Sequence, residues 1–315
     1  MSPLTIFEPN LEHALAVCRE RIGRRKSHLV AVSEQLESPL RRNMFAVCYA
    51  AMRVLDDVVD EDYVVEADRS REATEAYIDR WRQQAEEAAN GTFQIGEDVI
   101  ECDIFFALNA YAGASEIGAT PWHHLGAAMR TDVARSGIED WGSFETYCRG
   151  ASIAPAEVFL YILSCRLDGE RASASSLPRP TVYYAKDLAL FCYLVHILRD
   201  LAKDARRDKN LIVVPRSVLD DVGLDDGGLI AAIEARDSAA LQPLADILIE
   251  RASVHRRRGE TRMREISGEL SPNSNAALAG LIRRYVETFD VMSADYDGHL
   301  RTTNWGLGVD SASPD

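Results

Sequence analysis

The sequence predicts an all-α protein. Three observations carry that expectation. Apolar residues recur at helical spacing along most of the chain, Ala, Leu, Arg and Glu are abundant, and clean strand alternation is nearly absent. Helices are expected at 10–26, 39–61, 67–89, 98–111, 121–135, 141–166, 180–207, 237–267 and 273–303. Turn residues fill the breaks between them. Asn90-Gly91 closes the third helix, and Gly113 to Pro121 separates the fourth from the fifth. Asp168 to Pro180 separates the sixth from the seventh, Asp225 to Gly228 precedes the eighth, and Ser271-Pro272-Asn273 opens the ninth. Leu211 to Pro215 is short and β-branched, and reads as an extended connector. No Gly-rich phosphate loop follows a strand and no βαβ alternation occurs, which excludes the nucleotide-binding α/β folds. The longest linker candidate, Gly169 to Pro180, is short, so residues 1–305 read as one domain and 306–315 as a flexible tail.

Composition narrows the partners. A net charge of −15 argues against nucleic acid, whose phosphates need a basic surface. It does not exclude an anionic small molecule, because a bound divalent cation reverses the local sign. The six cysteines show no CxxC spacing and mostly sit in apolar helical segments, so they read as small buried hydrophobes in a reducing compartment. The N-terminal MSPLTIFEPNLEHAL carries acids and no apolar stretch of signal-peptide length, and a cytoplasmic location is expected. A greasy substrate or product could still bring the protein to a membrane surface as a peripheral partner, although no basic amphipathic helix announces it.

Two helices carry the chemistry. Phe45 to Leu55 is apolar apart from Arg53 and runs into Asp56, Asp57, Asp60 and Glu61. Leu188 to Leu198 is apolar apart from His196 and runs into Asp200 and Asp204. A helix apolar on all sides is a buried helix. Acids four apart share one face and repel. Carboxylates beside a core are costly unless paired or bound to a metal. The macrodipole also disfavours anions at a helix C-terminus. Two such acid columns suggest a cage for Mg²⁺, whose usual cargo is phosphate or diphosphate. The competing reading is an acidic helix end running into solvent. Arg53 fits either a local ion pair with Asp57 or a diphosphate ligand. His196 lies one turn before Asp200 on the same column, with Tyr193 one turn earlier, and fits either a site residue or a satisfied core histidine. Arg206 and Arg207 fit either a dipole-favoured helix end or a diphosphate clamp. In Tyr147 to Phe159 small residues surround Pro155, which bends a helix. This segment reads as tight helix packing or as the wall of a hydrocarbon tunnel.

Taken together, RVLDDVVDE (Arg53 to Glu61), ILRDLAKDARR (Ile197 to Arg207) followed by Pro215, YCRGAS (Tyr147 to Ser152) and Tyr49 four before Arg53 resemble the squalene/phytoene synthase family of prenyl-diphosphate condensing enzymes. The resemblance covers roughly residues 20–300. It implies a single-domain, all-α isoprenoid synthase fold with a central cavity between two aspartate-rich helices. It implies Mg²⁺, with Mn²⁺ as a substitute, held by Asp56, Asp60, Asp200 and Asp204. Arg53 looks like a diphosphate ligand and Tyr49 like the tyrosine of the ionisation site, with His196 beside them. Lys26, Ser27, His28, Arg149, Tyr193, Arg206 and Arg207 look like further substrate-binding positions.

The implied reaction joins two prenyl diphosphates of fifteen or twenty carbons head-to-head. It passes through a cyclopropylcarbinyl diphosphate to a phytoene- or squalene-type product. Whether NADPH is required stays open, as does the oligomeric state. This chain also departs from the family. Tyr193 and His196 stand where Gln and Asn are usual, and Lys203 where a Glu is usual. Arg149 takes the place of a second tyrosine, and Val30 that of an aromatic. The Ser-Phe-Ser-like segment is Lys26-Ser27-His28, and Ala-Pro replaces a glycine-rich kink. Those changes admit two alternatives: a terpene synthase or prenyltransferase of the same fold that ionises one prenyl diphosphate, and a non-catalytic family member acting as an assembly factor. Retention of all four acids argues against the latter.

Overall fold

The computed structural model describes residues 10–23, 28–65, 69–96, 98–135, 137–169, 171–208 and 211–307. Lys26 and Ser27 lie outside them, and so does the side chain of His28. The first half of the bundle contains α1 (Leu11–Gly23), α2 (His28–Ser33), α3 (Pro39–Asp56), α4 (Arg71–Ala89), α5 (Cys102–Ala112), α6 (Thr120–Ala134), α7 (Trp141–Cys148) and α8 (Ala154–Ser164). A hairpin follows, with β1 (Cys165–Asp168) antiparallel to β2 (Arg171–Ser175) and Leu167 opposite Ala172. The second half contains α9 (Thr181–Arg207), α10 (Arg216–Asp221), α11 (Asp226–Ala235), α12 (Ser238–Ile266), α13 (Pro272–Ala294) and α14 (Tyr296–Thr302).

Local chemistry starts several of these helices. Ser38 caps α3 ahead of Pro39, and Ser271 caps α13 ahead of Pro272. Asp140 and Ser143 form a reciprocal capping box on α7. Packing then fixes the bundle. The fully buried Trp81 of α4 donates from Nε1 to the Ala51 carbonyl of α3 at 2.8 Å, and its ring meets Phe105 and Trp122. Helix α9 runs through the interior against α8, α12 and α13. It is the one described helix long and apolar enough to cross a membrane, and most of it is buried inside the bundle. At Gly259, α12 approaches so closely that an added methyl would lie 2.6 Å from Leu188 Cδ2. Beside that contact the buried His255 meets Asp187 at 2.9 Å.

The structure departs from expectation in several places. The helix expected at 141–166 ends at Ser164, where Arg41 of α3 takes the carbonyls of Ile162 and Cys165, and the chain turns into the hairpin. Residues 28–33, 216–221 and 226–235 are helices beyond the nine that the sequence predicts. The first acid motif is not α-helical throughout, since residues 57–65 form a π-helix. Finally, Gly306, expected to begin a loose tail, is packed. Asn304, Trp305 and Gly306 all have positive φ, and the turn they make presses Gly306 onto the backbone of Lys203.

A second π turn, Arg149–Ile153, joins α7 to α8 just before Pro155. The Ala154 N–H reaches back to the Arg149 carbonyl, the five-residue bond of a π turn. Pro155 offers no N–H of its own, which is why the ladder loosens here. Gly150 meets α6 backbone to backbone, and a Cβ there would lie 2.0 Å from the His124 carbonyl oxygen. The small residues thus serve close packing at Gly150. Gly150→Ala is expected to cost more than about 2 kcal/mol, as overpacking against rigid backbone does. Gly280→Ala, in α13 with open space around it, should stabilise by a few tenths to about 1 kcal/mol. Thermal melts of the two variants check the contrast.

Candidate active site

At the first motif Arg53 bridges two acids. Its Nη1 is 2.7 Å from Asp56 Oδ2 and its Nη2 2.8 Å from Asp57 Oδ1, while Nε donates to the same Asp57 oxygen at 2.9 Å. Arg21 of α1 holds the other Asp57 oxygen at 3.2 Å. Asp57 is therefore doubly neutralised and locks α1 to α3, whereas Asp56 shares its arginine. Burial opposes the charge on Arg53, but Asp56 and Asp57 outweigh it and hold its pKa above the ordinary value. Tyr49, one turn before Arg53, leans on Phe45 with ring centres 5.4 Å apart. The side chains of Glu61 and Asp62 lie outside the described residues.

On α9, one ligand atom each from His196, Asp200 and Asp204 fall within 4.8 Å of one another. Arg199, which the sequence reading passed over, grips Asp200 with both ends of its fork, Nε to Oδ1 at 3.0 Å and Nη2 to Oδ2 at 2.5 Å. Its Nη2 also lies 2.9 Å from His196 Nδ1, which is 3.6 Å from Asp200 Oδ2. A guanidinium only donates, so a neutral His196 here keeps its proton on Nε2. Burial alone would raise the pKa of Asp200, but Arg199, His196 and Lys203 bring it below the ordinary carboxylate value. Asp204 goes the other way. Burial and the neighbouring Asp200 push it up to about 7, against the pull of Lys203, Arg207 and Arg199. One column thus holds a satisfied acid and an under-compensated one, and a bound cation would complement the second.

The two motifs act on a shared set of residues. Asp132, Cys192, Tyr193 and Tyr285 lie deep among the helices yet keep accessible surface. The charge of Asp60 bears on the hydroxyls of both Tyr147 and Tyr193, and that of Asp56 on Asp132. Tyr285 of α13 feels both Tyr49 and Asp200. The Tyr193 ring stacks on His196 at 6.2 Å and 12°. Helix α8 packs against both α3 and α9 and so spaces the acid columns.

Two expected substrate positions are placed elsewhere. Arg206 donates from Nε to the Trp305 carbonyl at 2.7 Å and from Nη2 to Ile233 at 3.2 Å, on the side of α9 away from the acids. It clamps the C-terminal turn. Arg149 is exposed, and its charge acts on His124 of α6 rather than on the acid column, because the π turn swings it to the surface. Arg207, also exposed, stays close enough to Asp204 to lower its pKa. Besides Arg199, the sequence reading missed Asp132 and Arg21. Arg199 had a visible signal in standing beside Asp200, whereas Asp132 and Arg21 had none.

An all-α bundle with two acid-ended core helices acting on a shared set of tyrosines is the class of protein that fold and site define. The sequence profile of squalene/phytoene synthase matches residues 23–306. The chain belongs to the squalene/phytoene synthase family. A curated relative, "Phytoene synthase 1, chloroplastic" of Solanum lycopersicum, is 25% identical over 197 residues, or 62% of this chain, and that match spans only 43% of the relative's length. Among solved structures, squalene synthase HpnC from Alicyclobacillus acidocaldarius superposes with a TM-score of 0.68 at 20% identity, covering 90% of this chain and 94% of its own. A dehydrosqualene synthase in complex with ligand gives 0.68 at 18% identity, covering 91% and 88%. At those identities the likeness speaks for the fold.

Proposed function

We propose that this protein is a Mg²⁺-dependent prenyltransferase that condenses two prenyl diphosphates head-to-head into a phytoene- or squalene-type hydrocarbon. What supports the reading is that both acid motifs act on one set of tyrosines, Asp60 on Tyr147 and Tyr193 and Asp200 on Tyr285. The donor set suits the metal, since carboxylate oxygens are the ligands Mg²⁺ and Mn²⁺ take, and Asp204 lacks a full countercharge. Bound there, the metal would neutralise the charge that gathers on a departing diphosphate. Arg53 and Arg199 each hold an acid already and stand within reach of an incoming diphosphate, for which a guanidinium fork is well shaped. Tyr49, Tyr193 and Tyr285 stand beside the acid motifs, where exclusion of water protects an allylic cation.

A specific observation keeps a second reading alive. Tyr193 stacks on His196, which lies 3.6 Å from Asp200, and an aromatic face beside the second acid column suits stabilisation of a cation from a single prenyl diphosphate, followed by cyclisation or water capture. Incubation with Mg²⁺ and farnesyl or geranylgeranyl diphosphate, followed by hydrocarbon extraction, separates the two. A thirty- or forty-carbon product is expected. A fifteen- or twenty-carbon alcohol or cyclic product would favour the second reading, and absence of diphosphate release from either substrate would remove both. Adding and omitting NADPH in the same assay reads out the need for a reductant.

A further inference from the structure

A chain of hydroxyls runs from the site into the wall of the bundle. Tyr193 Oη of α9 donates to Tyr147 Oη of α7 at 3.3 Å, and Tyr147 Oη donates to Asp132 Oδ2 of α6 at 3.2 Å. Both bonds point the same way and end on a carboxyl. Its outer end is the partly exposed Tyr193, stacked on His196 and felt by Asp60, and so beside both acid motifs. Burial pushes Asp132 up to about 7, against the hydrogen bond from Tyr147 and with a smaller push from Asp56. No basic side chain among the described residues figures in holding its charge. A buried acid so placed is expensive as a structural element, yet its proton affinity suits a base working near neutrality. Burial, and then the neighbouring acids, hold both phenols well above their ordinary pKa, so they remain protonated and pass a proton along rather than keep a charge.

We propose that Asp132 is the terminal proton acceptor of the reaction, reached through the hydroxyls of Tyr193 and Tyr147. The inference rests on the reading that an allylic diphosphate is ionised in this site. Closing a cyclopropane on the allylic cation, or forming a double bond from it, breaks a C–H bond. The electron pair stays with carbon, and the proton goes to Tyr193 Oη. The hydroxyl proton of Tyr193 passes to Tyr147 Oη, and that of Tyr147 to the Asp132 carboxylate. The hydrocarbon loses one proton, Asp132 gains one, and both phenols are regenerated. Asp132 acts through Tyr193 and is a positioning residue for that proton rather than a group that touches substrate.

The test is the partition of products, which a purely structural role would not move. With farnesyl and geranylgeranyl diphosphate and Mg²⁺, the products of Asp132→Asn and Tyr193→Phe are compared with those of the wild type at equal amounts of released diphosphate. The share of water-captured prenyl alcohol relative to deprotonated hydrocarbon should rise at least tenfold. Asp132→Glu should restore hydrocarbon in part. Tyr193→Phe removes one oxygen and keeps the ring, so it carries the test if Asp132→Asn does not fold. Variants that keep the wild-type partition, or that lose diphosphate release and hydrocarbon in equal measure, overturn the inference and leave the proposed function standing. A wild-type protein that releases no diphosphate overturns the proposed function, and the inference with it.

Discussion

Asp200→Asn is expected to lower diphosphate release from farnesyl diphosphate at least a hundredfold and to destabilise the metal-free fold by about 3 kcal/mol. The first effect follows from its place in the acid column that would hold the metal. The second follows from Arg199, whose fork is spent on Asp200 with both side chains about nine-tenths buried, at 12% and 11% exposure. An amide cannot match the charge of that guanidinium, and removing one partner of a buried ion pair costs several kcal/mol. Diphosphate release and thermal melting, measured on one preparation, check the two effects separately. Wild-type release in a variant of normal fold would remove Asp200 from the site.

Asp204→Asn should have the opposite effect on stability. The folded-state pKa of Asp204 is raised, so the folded protein holds this proton more tightly than the unfolded chain does. Its contribution is fully present below the unfolded value near 4 and is lost as the pH rises through about 7. The metal-free Asn variant should therefore be more stable than the wild type at pH 8, by on the order of 2 kcal/mol, and about equally stable at pH 3.5. Mg²⁺ must displace the proton to bind. It should raise the wild-type melting temperature at pH 8 and little at pH 5.5, and should raise that of Asp204→Asn little at either pH. Asp132 adds a pH trend of the same sign, which Mg²⁺ should leave in place. Equal Mg²⁺ shifts in both proteins would remove Asp204 from the ligand set.

The parts of this site that the sequence disclosed are those written in local spacing. The two apolar runs ending in acids sit on α3 and α9, and Arg53 does pair with Asp57. Arg206 was open to the same reasoning and was misplaced. Two residues past Asp204 on a helix is most of the way round to the opposite face, where the structure finds it clamping Trp305. Asp132 was not open to it. A lone acid in α6 looks like any solvated residue, and the groups that act on it, Tyr147 of α7 and Asp56 of the first motif, lie elsewhere in the chain. The hairpin at Cys165–Ser175 escaped for a related reason. Its first strand is four residues long, and what ends the helix before it is an arginine more than a hundred residues earlier.

The π turn at Arg149–Ile153 has one more consequence. Helices α7 and α8 form a single rod carrying one surplus residue, and that residue sets the phase of everything after it. A residue turns an α-helix by about 100°. Deleting Ala151 would rotate α8 by that angle relative to α7, moving Phe159 off Phe45 and Tyr161 off the Ser173 carbonyl. Conversely, the surplus residue lets Tyr147 face the acid motifs while Val158, Phe159 and Ile162, further along the same rod, stay in the core. The length of this segment, as much as its composition, is therefore under constraint, and a one-residue gap in an alignment here would mark a helix face turned to new neighbours.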